Sequence, residues 1–210
     1  MSITKLAESY ILEHPSIKDC LKKGLVNYSS LSRQIASDLN LNPKKNFDAI
    51  LIACRRLKRK LKKENDFEKD ILKILKQSKI EIKNKIIAVV LEKDIYFENL
   101  TALAREIKKK REIFGVIEGA SGITVITTED FLELVRKYFK NRIILENKSL
   151  AQITIKSPRE IETTPGTYAY LCSLLADNNI NIVETLSCWT DSILLIKEED
   201  VGKAIGLLKF

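Results

Sequence analysis

Residues 153–210 read ITIKSPREIETTPGTYAYLCSLLADNNINIVETLSCWTDSILLIKEEDVGKAIGLLKF, and their periodicity decides the fold. Ile153 and Ile155 alternate with polar residues up to Ser157-Pro158, the pattern of a half-buried strand. Pro165-Gly166 is a turn signal that opens an amphipathic helix carrying Tyr168, Leu171, Leu174 and Leu175, and Asn178-Asn179 stops that helix. Two strand-like runs follow, residues 181–187 and 192–197, joined by the polar turn Trp189-Thr190-Asp191. Residues 198–200 then start a last short helix through Leu208. The order β-α-β-β-α is the skeleton of a ferredoxin-like split βαβ unit.

These residues resemble a known family. The Pro165-Gly166 helix start, the Asn181-Ile182-Val183 strand and the Ile193-Leu194-Leu195-Ile196 run are similar to an ACT domain, a small-molecule-sensing module attached to enzymes and regulators of amino-acid metabolism. Within that family the resemblance is to the regulatory units of aspartate kinases. It implies an amino-acid effector held between the loop that opens the first helix and the start of the second strand, often at a contact between domains. By position it selects Thr164, Pro165, Gly166, Thr167 and Tyr168 for the loop, with Asn181 and Ile182 for the strand. Physical chemistry agrees, because free N–H groups at a helix N-terminus attract a carboxylate and an asparagine both donates and accepts. The charged approach Arg159-Glu160-Ile161-Glu162 departs from the family pattern. It serves either to bind a ligand ammonium group or as ordinary loop surface, and Pro165-Gly166 is alternatively only a turn in a dimerising unit.

Upstream the same order of elements recurs. Ile80 and Ile82 alternate with charges, and residues 86–91 form a nearly continuous apolar run, as a buried strand does. A helix (Leu100, Leu103, Ala104, Ile107), a strand (113–117), a turn (119–122), a strand (123–127), a helix (Phe131, Leu134, Val135, Tyr138) and a strand (143–145) follow. At an offset of 70, Ile123, Val125, Ile126, Glu129, Asp130 and Val135 fall on Ile193, Leu195, Ile196, Glu199, Asp200 and Ile205. The spacing predicts tandem units over 79–147 and 148–210. The first has Ile95-Tyr96 opposite Pro165-Gly166 and Arg111 opposite Asn181, so it is expected to be structural, with the effector in the second unit or between the two.

Residues 1–78 form a helical domain by pattern. Ile3, Leu6, Ala7, Tyr10 and Ile11 recur at helical spacing up to His14-Pro15; Ser16 with Asp19 is a plausible cap for a second helix closed by Gly24; Ser29 or Ser30 starts a third. Asn42-Pro43 suits the start of a fourth helix, about three residues after the third, which is a helix-turn-helix connection. Phe47, Ile50, Leu51, Cys54, Leu57 and Leu61 fall on one side of this fourth helix. Lys45, Arg56, Arg59 and Lys63 fall on the other, flanked by Arg55 and Lys60, and these six are the candidate nucleic-acid contacts. A solvated surface helix is the plain alternative. Phe67, Ile71, Ile74 and Leu75 make one more amphipathic helix, a connector or a dimer contact.

The net charge of +8 sharpens this division: the first eighty residues hold 18 lysines and arginines against nine acids, and the remaining 130 hold 18 against 19. Such an asymmetry marks a nucleic-acid-binding portion joined to a neutral one. Four cysteines without a paired spacing and a single histidine argue against a metal site and against a disulfide framework, and for a reducing cytoplasm. The longest apolar run, 86–91, is too short for a bilayer, so no membrane partner is expected. No glycine-rich phosphate loop or nucleophile elbow points to catalysis, and no cofactor is called for. The expected fold is α+β: an all-α helix-turn-helix domain, with or without a wing, followed by two ferredoxin-like βαββαβ units. The expected function is a homodimeric, amino-acid-responsive transcriptional regulator that binds DNA, paired through its ACT units or the connector helix. The alternatives are a non-catalytic regulatory subunit of a biosynthetic enzyme and an RNA-binding protein.

Overall fold

Helix starts and stops written into the first sixty residues produce four helices: α1 (Ile3–Glu13), α2 (Pro15–Lys23), α3 (Tyr28–Asp38) and α4 (Pro43–Leu61). The structure is a computed structural model that describes residues 2–62 and 68–210, and the chain divides into two compact units between residues 66 and 67. Pro15 occupies the first turn of α2, where its missing N–H costs nothing, so α1 ends at His14. His14 caps α2 without a side-chain bond, and Ser16, expected as the cap, lies inside the helix. Likewise α3 is capped by Asn27, whose Oδ1 accepts the N–H groups of Ser29 at 3.0 Å and Ser30 at 3.1 Å. Asn42 caps α4 with Pro43 at its first position, as the sequence predicts, after a four-residue connection.

The core of this unit joins Ala7 and Ile11 of α1, Leu21 of α2, Ile35 and Ala36 of α3, and Ile50, Ala53, Cys54, Leu57 and Leu61 of α4. Burial pushes the Cys54 thiol up to about 11. Tyr10 donates its hydroxyl to Asp38 at 2.5 Å, and that bond, with burial, pushes the phenol up to about 12.

The second unit is a single six-stranded antiparallel sheet with helices. Its elements are α5 (Glu68–Gln77), β1 (Lys79–Leu91), α6 (Phe97–Lys109), β2 (Gly115–Glu118), β3 (Ile123–Thr128), α7 (Leu132–Phe139), β4 (Ile143–Lys156), α8 (Thr167–Ala176), β5 (Ile182–Cys188), β6 (Asp191–Lys197) and α9 (Val201–Leu207). The strand order is β2-β3-β1-β4-β6-β5. β1 and β4 are long and each serves both halves of the sheet. Residues 86–91 of β1 pair with β3, while residues 79–83 pair with residues 152–156 of β4, whose other side is taken by β6.

Each long strand kinks where it passes from one half to the other. Lys85 (φ 57°) and Ser149 (φ 53°) leave the ladder in left-handed conformations. Their amides donate to carboxylates instead, Lys85 to Glu198 at 2.5 Å and Ser149 to Glu129 at 3.0 Å. The expected boundary between residues 147 and 148 therefore falls inside one continuous strand. The expected limit at residue 78 also moves, because α5 belongs with the sheet: Ile71 and Leu75 are buried with Ile153, Ile155, Leu171, Leu175, Leu194 and Ile196. Phe67, placed on this helix from the sequence, lies outside the described residues.

Equivalent cores repeat across the two halves. Leu103 and Ile107 of α6 stand where Leu171 and Leu175 of α8 stand; Val125, Val135 and Phe139 match Leu194, Ala204 and Leu208. The spacing is thus 68 in the first helix and 69 in the hairpin and second helix, rather than 70. On the opposite face Ile86, Ala88, Ile126, Leu150 and Leu195 form a separate cluster.

Adjacent threonines at the end of β3 have opposite energetics. Thr127 Oγ1 donates to the Ile113 carbonyl at 2.8 Å, whereas Thr128 Oγ1 is buried with no hydrogen-bond partner among the described residues. Thr128→Val is expected to stabilise the fold by about 1–2 kcal/mol by removing an unsatisfied hydroxyl, and Thr127→Val to destabilise it by about 1 kcal/mol. Denaturant titration measures both; shifts of the same sign would contradict the assignment.

Candidate functional site

Chain direction places the loop opening α8 at the hairpin end of the second half-sheet. β4 ends at Lys156, opposite Asp191, and the chain then crosses the β5–β6 turn: the Ser157 N–H donates to the Thr190 carbonyl at 3.1 Å and the Arg159 guanidinium lies 5.4 Å from the Trp189 ring. A 3-10 turn, Arg159–Glu162, follows, braced by the Thr164 hydroxyl donating to the Glu160 carbonyl at 2.8 Å. Gly166 then turns into α8 at φ 91°, a conformation in which a Cβ would cost roughly 1–2 kcal/mol. Among the described residues no side chain caps α8, so its first N–H groups face the loop unpaired by a cap.

Thr164 is half-buried, Pro165 and Gly166 are exposed, and Thr167 is buried with its hydroxyl directed to the Thr164 carbonyl at 3.3 Å. The Tyr168 hydroxyl is held by the Thr185 hydroxyl and the Leu186 carbonyl, the latter at 3.0 Å. Burial raises its phenol, with the Thr185 contact acting the other way. These five predicted residues lie together. Asn181 and Ile182 do not join them. Ile182 pairs with Ile196 at the far end of β5, six residues from Cys188, which pairs with Asp191 beside the loop. At about 3.3 Å per residue the two sets stand roughly 20 Å apart along the strand. The reason is topological: α8 runs away from its loop and β5 begins only where the helix ends.

The sequence reading took α5 as a connector or a dimer contact and did not place it at the loop, which its residues meet. Asp70, Lys73, Ile74 and Gln77 of α5 form a cleft of about 190 Å³ with Glu160 and Thr164. Ile71 Cδ1 lies 3.5 Å from where a Cβ on Gly166 would stand, and Ser78, at the end of α5, lies 2.9 Å from the Ser157 hydroxyl. The signal was present in the i, i+4 pair Ile71 and Leu75, which demands a buried partner, with Asp70, Lys73 and Gln77 on the adjoining face. Cys172 on α8 is half-buried and Cys188 at the end of β5 is exposed. Among the described residues no group of histidines, cysteines and acids is arranged to hold a metal ion, and no helix is long and apolar enough to cross a membrane.

In the first unit, Lys45, Arg55, Arg56, Arg59 and Lys60 are all exposed along α4, while Lys63 lies outside the described residues. Two of the five have neighbours of their own: Arg55 sits 5.7 Å from the Tyr28 ring, and Lys60 pairs with Glu8 at 3.6 Å. Ile52 interrupts the face at 47 % exposure.

Residues 146–209 match the family model of the ACT domain. Among solved structures, the chain is similar to the aspartate kinase of Clostridium acetobutylicum at 13% identity and a TM-score of 0.52, over 62% of this chain and 33% of that one. It is also similar to the regulatory subunit of aspartate kinase from Thermus thermophilus (14% identity, TM-score 0.48, 61% of this chain and 92% of that one) and to the aspartate kinase of Synechocystis (20%, 0.47, 61% and 26%). The chain thus spans about a third of the clostridial enzyme's length, and at these identities the likeness is one of fold. No curated protein matches the chain.

Proposed function

We propose that this chain is a non-catalytic regulatory protein whose second unit is built of two interleaved ferredoxin-like ACT units and binds an amino acid or a closely related metabolite. The observation that carries the reading is the loop at Gly166. It ends in an uncapped helix N-terminus, it is braced by its own hydroxyls, and it lies within the residues that match a small-molecule-sensing family. Thr164, Pro165, Gly166, Thr167 and Tyr168 form the effector side of this loop. Asn181 and Ile182, standing at the far end of β5, reach the same ligand only from a second copy arranged antiparallel, which fits a homodimer. Occupancy shifts the balance between two placements of the units, and the output passes to the partner bound by the rest of the chain.

A thermal-shift titration of the full chain against each of the twenty L-amino acids tests this. One or a few are expected to raise Tm in proportion to RT ln(1 + [L]/Kd). Flat melting curves with all twenty at millimolar concentration would remove the reading.

A second reading concerns the output. The exposed cations of α4 follow α3 across a four-residue connection, a geometry that suits a DNA backbone in a helix-turn-helix manner. The competing output is an acidic surface of a biosynthetic enzyme. Binding to duplex DNA, to structured RNA or to neither separates the three.

A further inference from the structure

We propose that the effector pocket is the cleft between α5 and the turn Arg159–Glu162, and that it takes the zwitterionic head of an amino acid, with Lys73 on the carboxylate and Asp70 and Glu160 on the ammonium group. This rests on the reading of the second unit as an amino-acid sensor, and it adds side chains from α5, which lies outside the residues that match the ACT family.

Helical spacing makes one wall: Asp70, Lys73, Ile74 and Gln77 share a face of α5, and the opposite wall is Glu160 and Thr164. The volume of about 190 Å³ has room for about six waters, below the roughly 300–1,000 Å³ of pockets for drug-sized molecules. Ile74, 4 % exposed, supplies an apolar patch beside the charges. The cleft walls are fixed rather than loose, because Ile71 and Leu75 anchor α5 in the core and the Thr164 hydroxyl holds the Glu160 carbonyl. Both signs of charge face the cleft, and among the described residues no ion pair engages Asp70, Lys73 or Glu160.

The other half of the sheet supplies the contrast. Its cleft at the loop opening α6 is lined by Asp94, Tyr96, Asn99, Lys137 and Arg142, among others. There Arg142 is already bound to Glu92 at 2.7 Å and Asp94 at 3.5 Å, and those carboxylates raise its guanidinium further. In one cleft the arginine is already engaged by neighbouring carboxylates; in the other, among the described residues, opposite charges stand without an ion pair. Two such charges held on separate elements match a ligand that carries both.

The test repeats the thermal-shift titration on the full chain with the amino acid that stabilises it most, comparing Lys73→Ala, Glu160→Gln and a control, Lys76→Ala, on α5 but off this face. All three positions are exposed, so the unliganded Tm is expected to stay within about two degrees. Lys73→Ala and Glu160→Gln are expected to weaken apparent affinity at least ten-fold, Lys76→Ala less than two-fold, and ligand to slow amide exchange over residues 68–77 in the wild type. Undiminished affinity in both cleft variants would overturn the pocket while leaving the sensor reading intact. Absence of any stabilising amino acid for the wild type would overturn both.

Discussion

Residues 146–209 expressed alone are expected to show no cooperative unfolding transition, whereas residues 68–210 unfold in one step. The shorter fragment matches a domain family over its whole length, yet it lacks two parts of its own core. Its β4 loses the neighbouring strand, because residues 79–83 pair with residues 152–156 and no later segment of the chain takes that place. Its helical layer loses Ile71 and Leu75, 7 % and 2 % exposed, which pack against Ile153, Leu171 and Leu194. Deleting two such side chains costs about 2–5 kcal/mol each. That sum is of the order of a small domain's entire stability, about 5–15 kcal/mol, before the open strand edge is counted. Circular dichroism with urea titration on the two fragments decides it. A sigmoidal transition in the short fragment would mean that β1 and α5 are ornaments on a self-sufficient fold.

The same interleaving explains how much of the structure was legible in the sequence. Element types read correctly because period does not depend on partners: the alternation at Ile153 and Ile155 and the 3.6-residue spacing of Leu171 and Leu175 are local facts. Division failed because continuity does. The polar residues Glu146, Asn147 and Lys148 resemble a linker between strand ends at Leu145 and Ile153, yet they belong to one continuous strand passing between half-sheets. The half-buried Glu146 finds its reason there: Arg136 holds it with two bonds of 2.7 Å, and with Lys148 keeps its carboxyl down at about 2.

Register failed for a sharper reason. An offset of 70 places Val125 on Leu195, but Val125 faces the helices and Leu195 faces the opposite cluster. Side chains in a strand alternate faces, so a one-residue error in a repeat exchanges the two sides of the sheet. The bulge carboxylates carry the true register: Glu129 and Glu198 both accept an amide from a left-handed residue in a long strand. In the site, the loop around Gly166 was visible because a turn dipeptide before an apolar helix is a local signal. Asn181 was assigned to the same place by family position, and the distance along β5 separates it. Asp70 and Lys73 were legible only as neighbours of the buried pair Ile71 and Leu75, and which surface that pair packs on, hence the loop they reach, is not a local fact.

Replacing Arg56 and Arg59 with alanine is expected to lower the salt dependence of duplex DNA binding by about two in the slope of log affinity against log salt, since each phosphate contact contributes about 0.9. These two are the arginines to choose. Both are exposed, three residues apart on one helix face, and among the described residues neither is engaged by a neighbour, whereas Arg55 leans on the Tyr28 ring and Lys60 pairs with Glu8. Arg55→Ala would mix lost packing with lost charge; the double variant isolates charge. Between 1 M and 0.1 M salt each lost contact is worth about a decade, so binding at 0.1 M is expected to fall roughly a hundred-fold. The loss should be the same on unrelated sequences, because phosphates carry no sequence information. Fluorescence anisotropy over a salt series, with thermal melts to verify the fold, measures it. A parallel slope in wild type and variant would take duplex DNA away from this face of α4.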